Sequence, residues 1–286
     1  MVQREKSPYS FSLIPFDIIM SNIIFLKLGG SLITDKTQPQ TPRLDVLTRL
    51  SSEIAEAMDQ NPDIRLVLGH GSGSFGHVPA SQYGTRKGVY SAEQWSGFVE
   101  VWWAASALNR LVMDALHNAG LPAIAFSPLA MIIARNGQVA AWDTHPLKTA
   151  LEIGLVPIIH GDVVFDLERG GTILSTEDLF SYLARQLHPN RILIAGRETG
   201  VWKDYPTRKQ LIPLITPKTL AETMPTLTGS NATDVTGGMI AKVNTMLNLV
   251  KEIMSLEVLI FSGEQPGAVC DALLGASKGT IIRPDV

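Results

Sequence analysis

Apolar residues follow two patterns along the chain, and the two patterns predict different elements. Compact apolar runs of strand length occur at 23–26, 64–68, 123–126, 139–142, 156–159, 163–165, 192–195 and 256–261. Helical spacing of apolar positions occurs at 43–59 and 91–119, and further helices are predicted near 144–153, near 175–187 and from residue 236 onward. Because strands and helices alternate, the pattern predicts an α/β fold with a largely parallel sheet.

Glycines interrupt this pattern where the apolar run at 64–68 ends. Gly71 and Gly73 leave backbone N–H groups open to a ligand, and successive N–H groups in such a loop form a nest for an anion. Ser72 adds a hydroxyl donor, and His77 adds a titratable donor that can contact the same anion. A single glycine-rich loop is a weak signal, because it can equally be a flexible turn.

Two further glycine turns favour phosphate binding over the flexible-turn interpretation. The first predicted strand ends in Lys27 and runs into residues 29–31 (Gly-Gly-Ser), at the carboxyl edge where open α/β sheets bind ligands. Lys36 follows in a polar loop, although most loop lysines are only solvated. The helix predicted from residue 236 begins with two glycines and carries Lys242, so its N-terminus offers free N–H groups to a phosphate.

Other candidate side chains have a structural explanation beside a functional one. Gly161 and Asp162 end the apolar run at 156–159 with a glycine and a polar residue, as in the other turns. Asp178 lies in the first turn of a predicted helix with Ser175 or Thr176 as its N-cap. A carboxylate at that place can simply complement the helix dipole.

Aromatic residues crowd the first half of the helix predicted at 91–119. Helical spacing is expected to put Trp95, Phe98, Val99 and Trp102 on one face. Such an aromatic stripe packs in the hydrophobic core about twice as often as it forms the wall of a ligand pocket. Both interpretations stay open, and the second makes Phe98 and Trp102 candidate substrate contacts.

Composition narrows the class of protein. The chain has 286 residues and a formal net charge of −3, so it has no basic footprint for nucleic acid. Its one cysteine, Cys270, excludes an internal disulfide framework and is typical of the cytoplasm. No segment is apolar enough to cross a bilayer. Residues 1–19 are predicted to be an N-terminal extension, because Pro15 and Asp17 interrupt their apolar pattern.

The candidate residues are typical of phosphoryl transfer, a reaction that needs positioning and charge neutralisation. They comprise three glycine-rich anion sites, several lysines and one histidine, without a metal-ligand cluster or a nucleophile–base pair. The segments 27–31 (Lys-Leu-Gly-Gly-Ser) and 236–239 (Thr-Gly-Gly-Met), with Lys36, Asp178 and Lys242, resemble the amino acid kinase family from about residue 22 onward. Within that family, 70–77 (His-Gly-Ser-Gly-Ser-Phe-Gly-His) resembles the members that phosphorylate isopentenyl phosphate, and fosfomycin kinases share the last histidine.

The resemblance implies a fold, a division of the chain and a reaction. It implies a three-layer sandwich with a central, mostly parallel sheet, formed by one domain over 20–286. Residues 20–190 would form the acceptor-substrate lobe and 191–286 the nucleotide lobe. The implied activity is ATP-dependent phosphorylation of isopentenyl phosphate, a small-molecule phosphate, with Mg²⁺ carried by the nucleotide and a homodimer as a possible assembly.

The resemblance also assigns roles by position. Lys27 would hold the transferring phosphoryl group, Lys36 would stabilise its charge, and Asp178 would orient the lysines. The nucleotide would be bound by Lys27, Gly29, Gly30, Ser31, Gly73, Gly237, Gly238 and Lys242. The acceptor would be bound by Ser72, Gly73, His77, Gly161, Asp162, Phe98 and Trp102, with His77 as a catalytic residue that determines the substrate class.

Two positions depart from the family pattern. Ser72 replaces a glycine, which a backbone contact tolerates if its φ angle is ordinary. The segment 195–198 (Ala-Gly-Arg-Glu) replaces an acidic residue that the family usually has, which affects contacts to the base or ribose. Two rival functions are a kinase of another phosphate or phosphonate such as fosfomycin, and a non-catalytic nucleotide or phosphate sensor. Retention of both Lys27 and Lys36 argues against a sensor.

Overall fold

The computed structural model describes residues 22–219 and 238–285. The predicted extension at 1–19 and the candidate Gly237 lie outside the described residues. The strands are, in chain order, β1 Ile23–Leu28, β2 Thr34–Asp35, β3 Thr41–Pro42, β4 Arg65–His70, β5 Ala123–Ala125, β6 Ile132–Arg135, β7 Gln138–Trp142, β8 Val156–His160, β9 Asp162–Asp166, β10 Gly170–Leu174, β11 Arg191–Gly196, β12 Val201–Trp202, β13 Leu211–Ile212, β14 Leu214–Ile215, β15 Glu257–Ser262 and β16 Thr280–Ile282.

The helices confirm most of the predicted helical segments to within one or two residues at each end. A 3₁₀ turn at Thr85–Lys87 precedes the longest described helix. No described helix combines the length and apolar character needed to cross a bilayer. The α-helices are α1 Gly30–Ile33, α2 Leu44–Gln60, α3 Gly73–Tyr83, α4 Ala92–Asn118, α5 Pro128–Met131, α6 His145–Glu152, α7 Thr176–Leu187, α8 Gly238–Glu252 and α9 Ala268–Leu273.

The main sheet is mostly parallel, as predicted. Its strands lie in the order β14-β16-β15-β11-β1-β4-β8-β5, and β1 is hydrogen-bonded in parallel to both β4 and β11. The pairing of β15 with β16 is antiparallel. Because β1 and β11 are neighbours, the two expected lobes share one continuous sheet.

Alternation of side chains along β1 divides the core into the two outer layers. Ile23 and Phe25 belong to a cluster with residues of α7 and α8, such as Phe180. Ile24 and Leu26 belong to a second cluster with residues of α2 and α4, such as Leu108. Successive strand residues face opposite sides of a sheet, so a buried strand needs helices on both faces. The result is the three-layer sandwich that was expected.

Two of the predicted strands belong to a second sheet. The runs at 139–142 and 163–165 become β7 and β9, which belong to a four-stranded sheet in the order β10-β9-β6-β7. Within it, β9 with β10 and β6 with β7 are antiparallel hairpins. Sequence alternation alone could not separate these hairpins from the parallel strands, because both are short and apolar.

The predicted aromatic face of α4 is wrong. Val99 is 58% exposed, whereas Phe98 is buried, so the two do not share a face. The buried stripe instead continues from Phe98 through Val101, Ala105 and Leu108, at intervals of three and four residues. Phe98 packs with Val101 in a small cluster beneath the second sheet, with Trp102 partly buried against it. Phe98 is therefore core, as the alternative interpretation of the stripe expected.

Candidate active site

A cavity of about 800 Å³ opens at the carboxyl ends of β1, β4, β8 and β11. Open parallel sheets bind ligands at this edge, because helix N-termini and loops converge there. Most of the predicted site residues line this cavity and are thereby brought together. They are Lys27, Gly29, Gly30, Ser31, Lys36, Ser72, Gly73, His77, Gly161, Gly238 and Lys242.

The first two glycine turns touch each other across the floor of the cavity. A Cβ atom on Gly30 would lie 2.3 Å from the backbone nitrogen of Gly73, and one on Gly73 would lie 2.6 Å from the carbonyl oxygen of Gly30. Gly73 also has a φ of +50°, which side chains disfavour. Any side chain at either position would force the two turns apart.

Thr34 ties the two turns together by hydrogen bonds. Its Oγ1 donates to the carbonyl oxygen of Gly30 at 2.7 Å and accepts from the backbone nitrogen of Ser74 at 2.9 Å. Ser72 has an ordinary φ of −77°, so the serine that replaces a glycine introduces no backbone strain. The turns are therefore held at a fixed separation before any ligand arrives.

Lys27 forms an ion pair with Glu177, and both side chains are buried. Strand alternation puts Lys27 on the same side of β1 as Phe25, which is the side covered by α7. Burial raises the pKa of the Glu177 carboxyl, but the charges of Lys27 and Lys242 outweigh it and hold that pKa below its ordinary value. Glu177 is thus an anion between two lysines of the cavity.

The structure corrects the expectation for Asp178. Its Oδ2 accepts hydrogen bonds from the backbone nitrogen and Oγ of Ser175, at 2.8 and 2.7 Å, in a capping box that starts α7. The same oxygen pairs with Nη2 of Arg86 at 3.2 Å. These contacts engage Asp178 at the helix end, and the carboxylate against Lys27 is its neighbour Glu177.

Three predicted acceptor residues are absent from the lining of the cavity. Asp162 is buried below it, where Oδ1 accepts from the backbone nitrogen of Val163 and Oδ2 lies 3.5 Å from Nε2 of His160. Phe98 and Trp102 belong to the cluster beneath the second sheet. Other residues of the same cluster, Ala80, Val101 and Ile173, do reach the lining of the cavity.

Two buried histidines lie directly under the acceptor side. His70 and His160 are paired residues of β4 and β8, and their rings stack with centroids 5.1 Å apart and planes 2° apart. Nε2 of His70 lies 3.1 Å from Oδ1 of Asn109 on α4. Burial, and then the neighbouring His160, lower the pKa of His70 to about 3. His70 is thus neutral at ordinary pH, and the stacked pair directly precedes Gly71 and Gly161, the residues that follow the two strands.

Sequence reasoning noted Arg197 and Glu198 only as a departure from the family pattern, and it missed the side chains beyond β11 that Glu198 engages. Glu198 accepts from Nε1 of Trp202 at 2.9 Å and pairs with Arg208 at 2.7 Å. The guanidinium of Arg208 in turn lies 5.0 Å from the centre of the Tyr205 ring, in cation–π contact. All four residues line the cavity, next to Arg197. No spacing motif links Glu198, Trp202, Tyr205 and Arg208, so only the fold could bring them together at the site.

The chain belongs to the amino acid kinase family, whose model matches residues 22–262. It is 35% identical over 268 residues to the isopentenyl phosphate kinase of Methanocaldococcus jannaschii, covering 91% of this chain and 98% of that protein. It is 33% identical to the isopentenyl phosphate kinase of Methanothermobacter thermautotrophicus, with the same coverage of both chains. A crystal structure described as isopentenyl phosphate kinase superposes with a TM-score of 0.76 at 31% identity, covering 91% of this chain and all of that one.

The two adjacent carboxylates of α7 can be separated by mutation. Glu177→Gln leaves the buried Lys27 without its anion, so we expect a loss of about 3–5 kcal/mol in unfolding free energy and a severe loss of turnover. Asp178→Asn keeps a capping acceptor, so its cost should be about 1 kcal/mol or less. Urea denaturation and steady-state kinetics of both variants measure this. A larger loss of turnover in Asp178→Asn would restore the lysine-orienting role to that residue.

The lowered pKa of His70 predicts an acid-sensitive stability. The unfolded chain protonates this ring below pH 6.5, whereas the folded protein keeps it neutral to about pH 3. The unfolding free energy should therefore fall by about 1.4 kcal/mol per pH unit as the pH drops through that window. Urea denaturation at several pH values, with His70→Gln as the non-titrating comparison, measures the slope. Equal slopes in both proteins would contradict the prediction.

Proposed function

We propose that this protein transfers the γ-phosphoryl group of ATP to the phosphate of isopentenyl phosphate and releases isopentenyl diphosphate and ADP. One observation carries the proposal: two glycine turns that can each hold a phosphate touch at Gly30 and Gly73, with Lys27 beside them. A donor and an acceptor phosphate bound to these turns would be neighbours. The similarity to isopentenyl phosphate kinases of two archaea supports this choice of acceptor.

The donor side is the turn after β1 together with the start of α8. Backbone N–H groups of Gly29, Gly30 and Ser31 would hold ATP phosphates, and Gly238 with Lys242 would hold them from the opposite side. Lys27 and Lys36 would neutralise the charge of the phosphoryl group as the bond to ADP breaks. Phosphoryl transfer needs this positioning and charge stabilisation more than covalent help from the protein.

The acceptor side is the turn after β4. Ser72 and Gly73 would bind the acceptor phosphate through their backbone and hydroxyl donors, and His77 would donate a further hydrogen bond to it. An oxygen of that phosphate then attacks the γ-phosphorus, and the new bond forms as the bond to ADP breaks. Gly161 closes the far side of the acceptor site, above the stacked histidines.

The apolar wall fits a short hydrocarbon tail. Ala80 lies one turn after His77 on α3 and packs with Val101 and Ile173, and all three line the cavity without offering a charged group to the tail. Burying a five-carbon tail there would contribute roughly 2–3 kcal/mol at about 25 cal/mol per Å². This feature favours a prenyl phosphate over the rival acceptor fosfomycin, whose small polar body gains less from such a wall.

Mg²⁺ completes the proposal as a companion of the nucleotide. Among the described residues, no group of three or more His, Cys, Asp or Glu side chains could hold a metal ion. The ATP phosphates would carry the ion to the site, and the ion would supply further positive charge for the transferring group. We also propose that residues 20–190 form the acceptor-substrate lobe and 191–286 the nucleotide lobe, with the turn after β1 reaching the ATP phosphates from the first lobe, and we assign the reaction to the cytoplasm.

A homodimer belongs to the same proposal. Val99 and Trp103 on α4, with Val78 on α3, are more than half exposed and line an apolar groove. Exposed apolar surface of this kind is typical of interfaces. Size-exclusion chromatography with light scattering should give twice the mass of the chain, and a mass equal to one chain would contradict the assembly.

A substrate panel with one histidine variant tests the function. Purified protein with ATP and Mg²⁺ should phosphorylate isopentenyl phosphate faster than dimethylallyl phosphate or fosfomycin. His77→Ala should lower turnover about 100-fold or more, since it removes a donor to the reacting phosphate, with little change in melting temperature. His117→Ala, at an exposed histidine of α4, is the control. Near-normal turnover in His77→Ala would contradict the assignment, and preference for fosfomycin would favour the rival kinase.

A further inference from the structure

Arg197 is an arginine of the cavity to which the proposed reaction has not yet given a role. It follows Gly196, the last residue of β11, and its side chain lines the cavity while remaining 59% exposed. The end of β11 lies against the donor turn, because the backbone nitrogen of Gly29 donates to the carbonyl oxygen of Ala195 at 2.8 Å. Arg197 therefore starts two residues from the contact with the proposed phosphate turn.

The backbone of Arg197 is fixed from the neighbouring strand. Oγ of Ser262 donates to its carbonyl oxygen at 3.1 Å, and the backbone nitrogen of Gly263 donates to the carbonyl oxygen of Gly196 at 2.9 Å. A side chain on such a support loses less conformational entropy on binding than one on an unsupported loop.

The guanidinium of Arg197 is also held from one end. Its Nε lies 3.0 Å from Oε1 of Glu264, a carboxylate that already accepts two hydrogen bonds from Arg43, at 2.7 and 2.9 Å. One carboxylate is thus shared by two arginines, and the carboxylate of Asp35 lies within electrostatic reach of both. Because the ion pair uses Nε, it leaves the two terminal nitrogens of Arg197 for another acceptor.

The loop that carries Lys36 lies within electrostatic reach of Arg197. Hydrogen bonds from Thr37 lower the pKa of Asp35, and the charges of Arg197 and Arg43 lower it further. Asp35 directly precedes Lys36 in this loop, and both Lys36 and Arg197 line the cavity. Among the described residues, the charged side chains that line the cavity are six cations and two anions. Such an excess favours a polyanion over a neutral nucleoside.

We propose that Arg197 binds the polyphosphate of the nucleotide through its terminal guanidinium nitrogens. This rests on the proposed ATP-dependent reaction. A guanidinium is suited to the role, because its planar fork donates two parallel hydrogen bonds to phosphate oxygens. The nucleoside faces the other group beyond β11, in which Glu198 and Arg208 engage each other beside aromatic rings. Arg197 is thus a nucleotide-binding residue that raises the affinity for ATP more than the affinity for the acceptor.

Arg197→Gln tests the proposal against a matched control. Arg135 is also 59% exposed and also pairs with one glutamate, Glu168, but it lies on the second sheet away from the cavity. Arg197→Gln should raise the KM for ATP about tenfold, because it removes a charge-assisted contact, and leave the KM for isopentenyl phosphate within about twofold. Arg197→Lys should recover part of the loss. Arg135→Gln should match the native protein in both constants.

Binding without turnover separates the polyphosphate from the nucleoside. Calorimetric titration should show that Arg197→Gln weakens the binding of ADP and of inorganic tripolyphosphate by similar factors. The affinity for adenosine should not change. Unchanged affinity for tripolyphosphate, or equal weakening of ADP and adenosine, would overturn the proposal. If the native protein binds ADP but does not phosphorylate isopentenyl phosphate, the proposed function fails while this test still decides the role of Arg197.

Discussion

The buried ion pair between Lys27 and Glu177 is the constraint on which the rest of the site depends. Two charges removed from water at the end of the central strand gain little net stability, because desolvation offsets their attraction. The pair is better understood as a way to keep an ionised lysine inside the protein. The charges of Lys27 and Lys242 hold the pKa of Glu177 below its ordinary value despite its burial. In the proposed reaction an entering phosphate becomes a second anion for both lysines. The Lys27–Glu177 pair therefore determines where a phosphate can bind.

The parts of the site that depend on the backbone could be predicted from the sequence. Glycine is often used for close approach or positive φ; Gly30 serves the first use and Gly73 serves both. Strand-length apolar runs before each turn then locate the turns at one edge of one sheet. These signals can be recognised in the sequence because they depend only on neighbours along the chain. The same signals predicted the mostly parallel sheet.

Choices among adjacent side chains could not be predicted in the same way. Glu177 and Asp178 are both carboxylates in one helical turn, and the difference between them is about 100° of rotation around α7. The spacing from Ser175 to Asp178 is that of a capping box, which was a usable signal that Asp178 was already engaged. On α4 the aromatic residues suggested the wrong buried face. The buried face includes the small residue Ala105. Arg197 and Arg208 reach the cavity only through tertiary contacts.

The separation of the two phosphate turns is finally a property of strand register. In the pairing of β1 with β4, Lys27 lies opposite Gly69 and Leu28 opposite His70, so both turns leave the sheet at the same level. A slip of one residue would turn every side chain of one strand to the other face and move Lys27 away from α7. The alternating packing of Ile23, Ile24 and Phe25 into two separate cores forbids that slip. The reaction geometry is therefore secured by apolar residues at the opposite end of the strand from the chemistry.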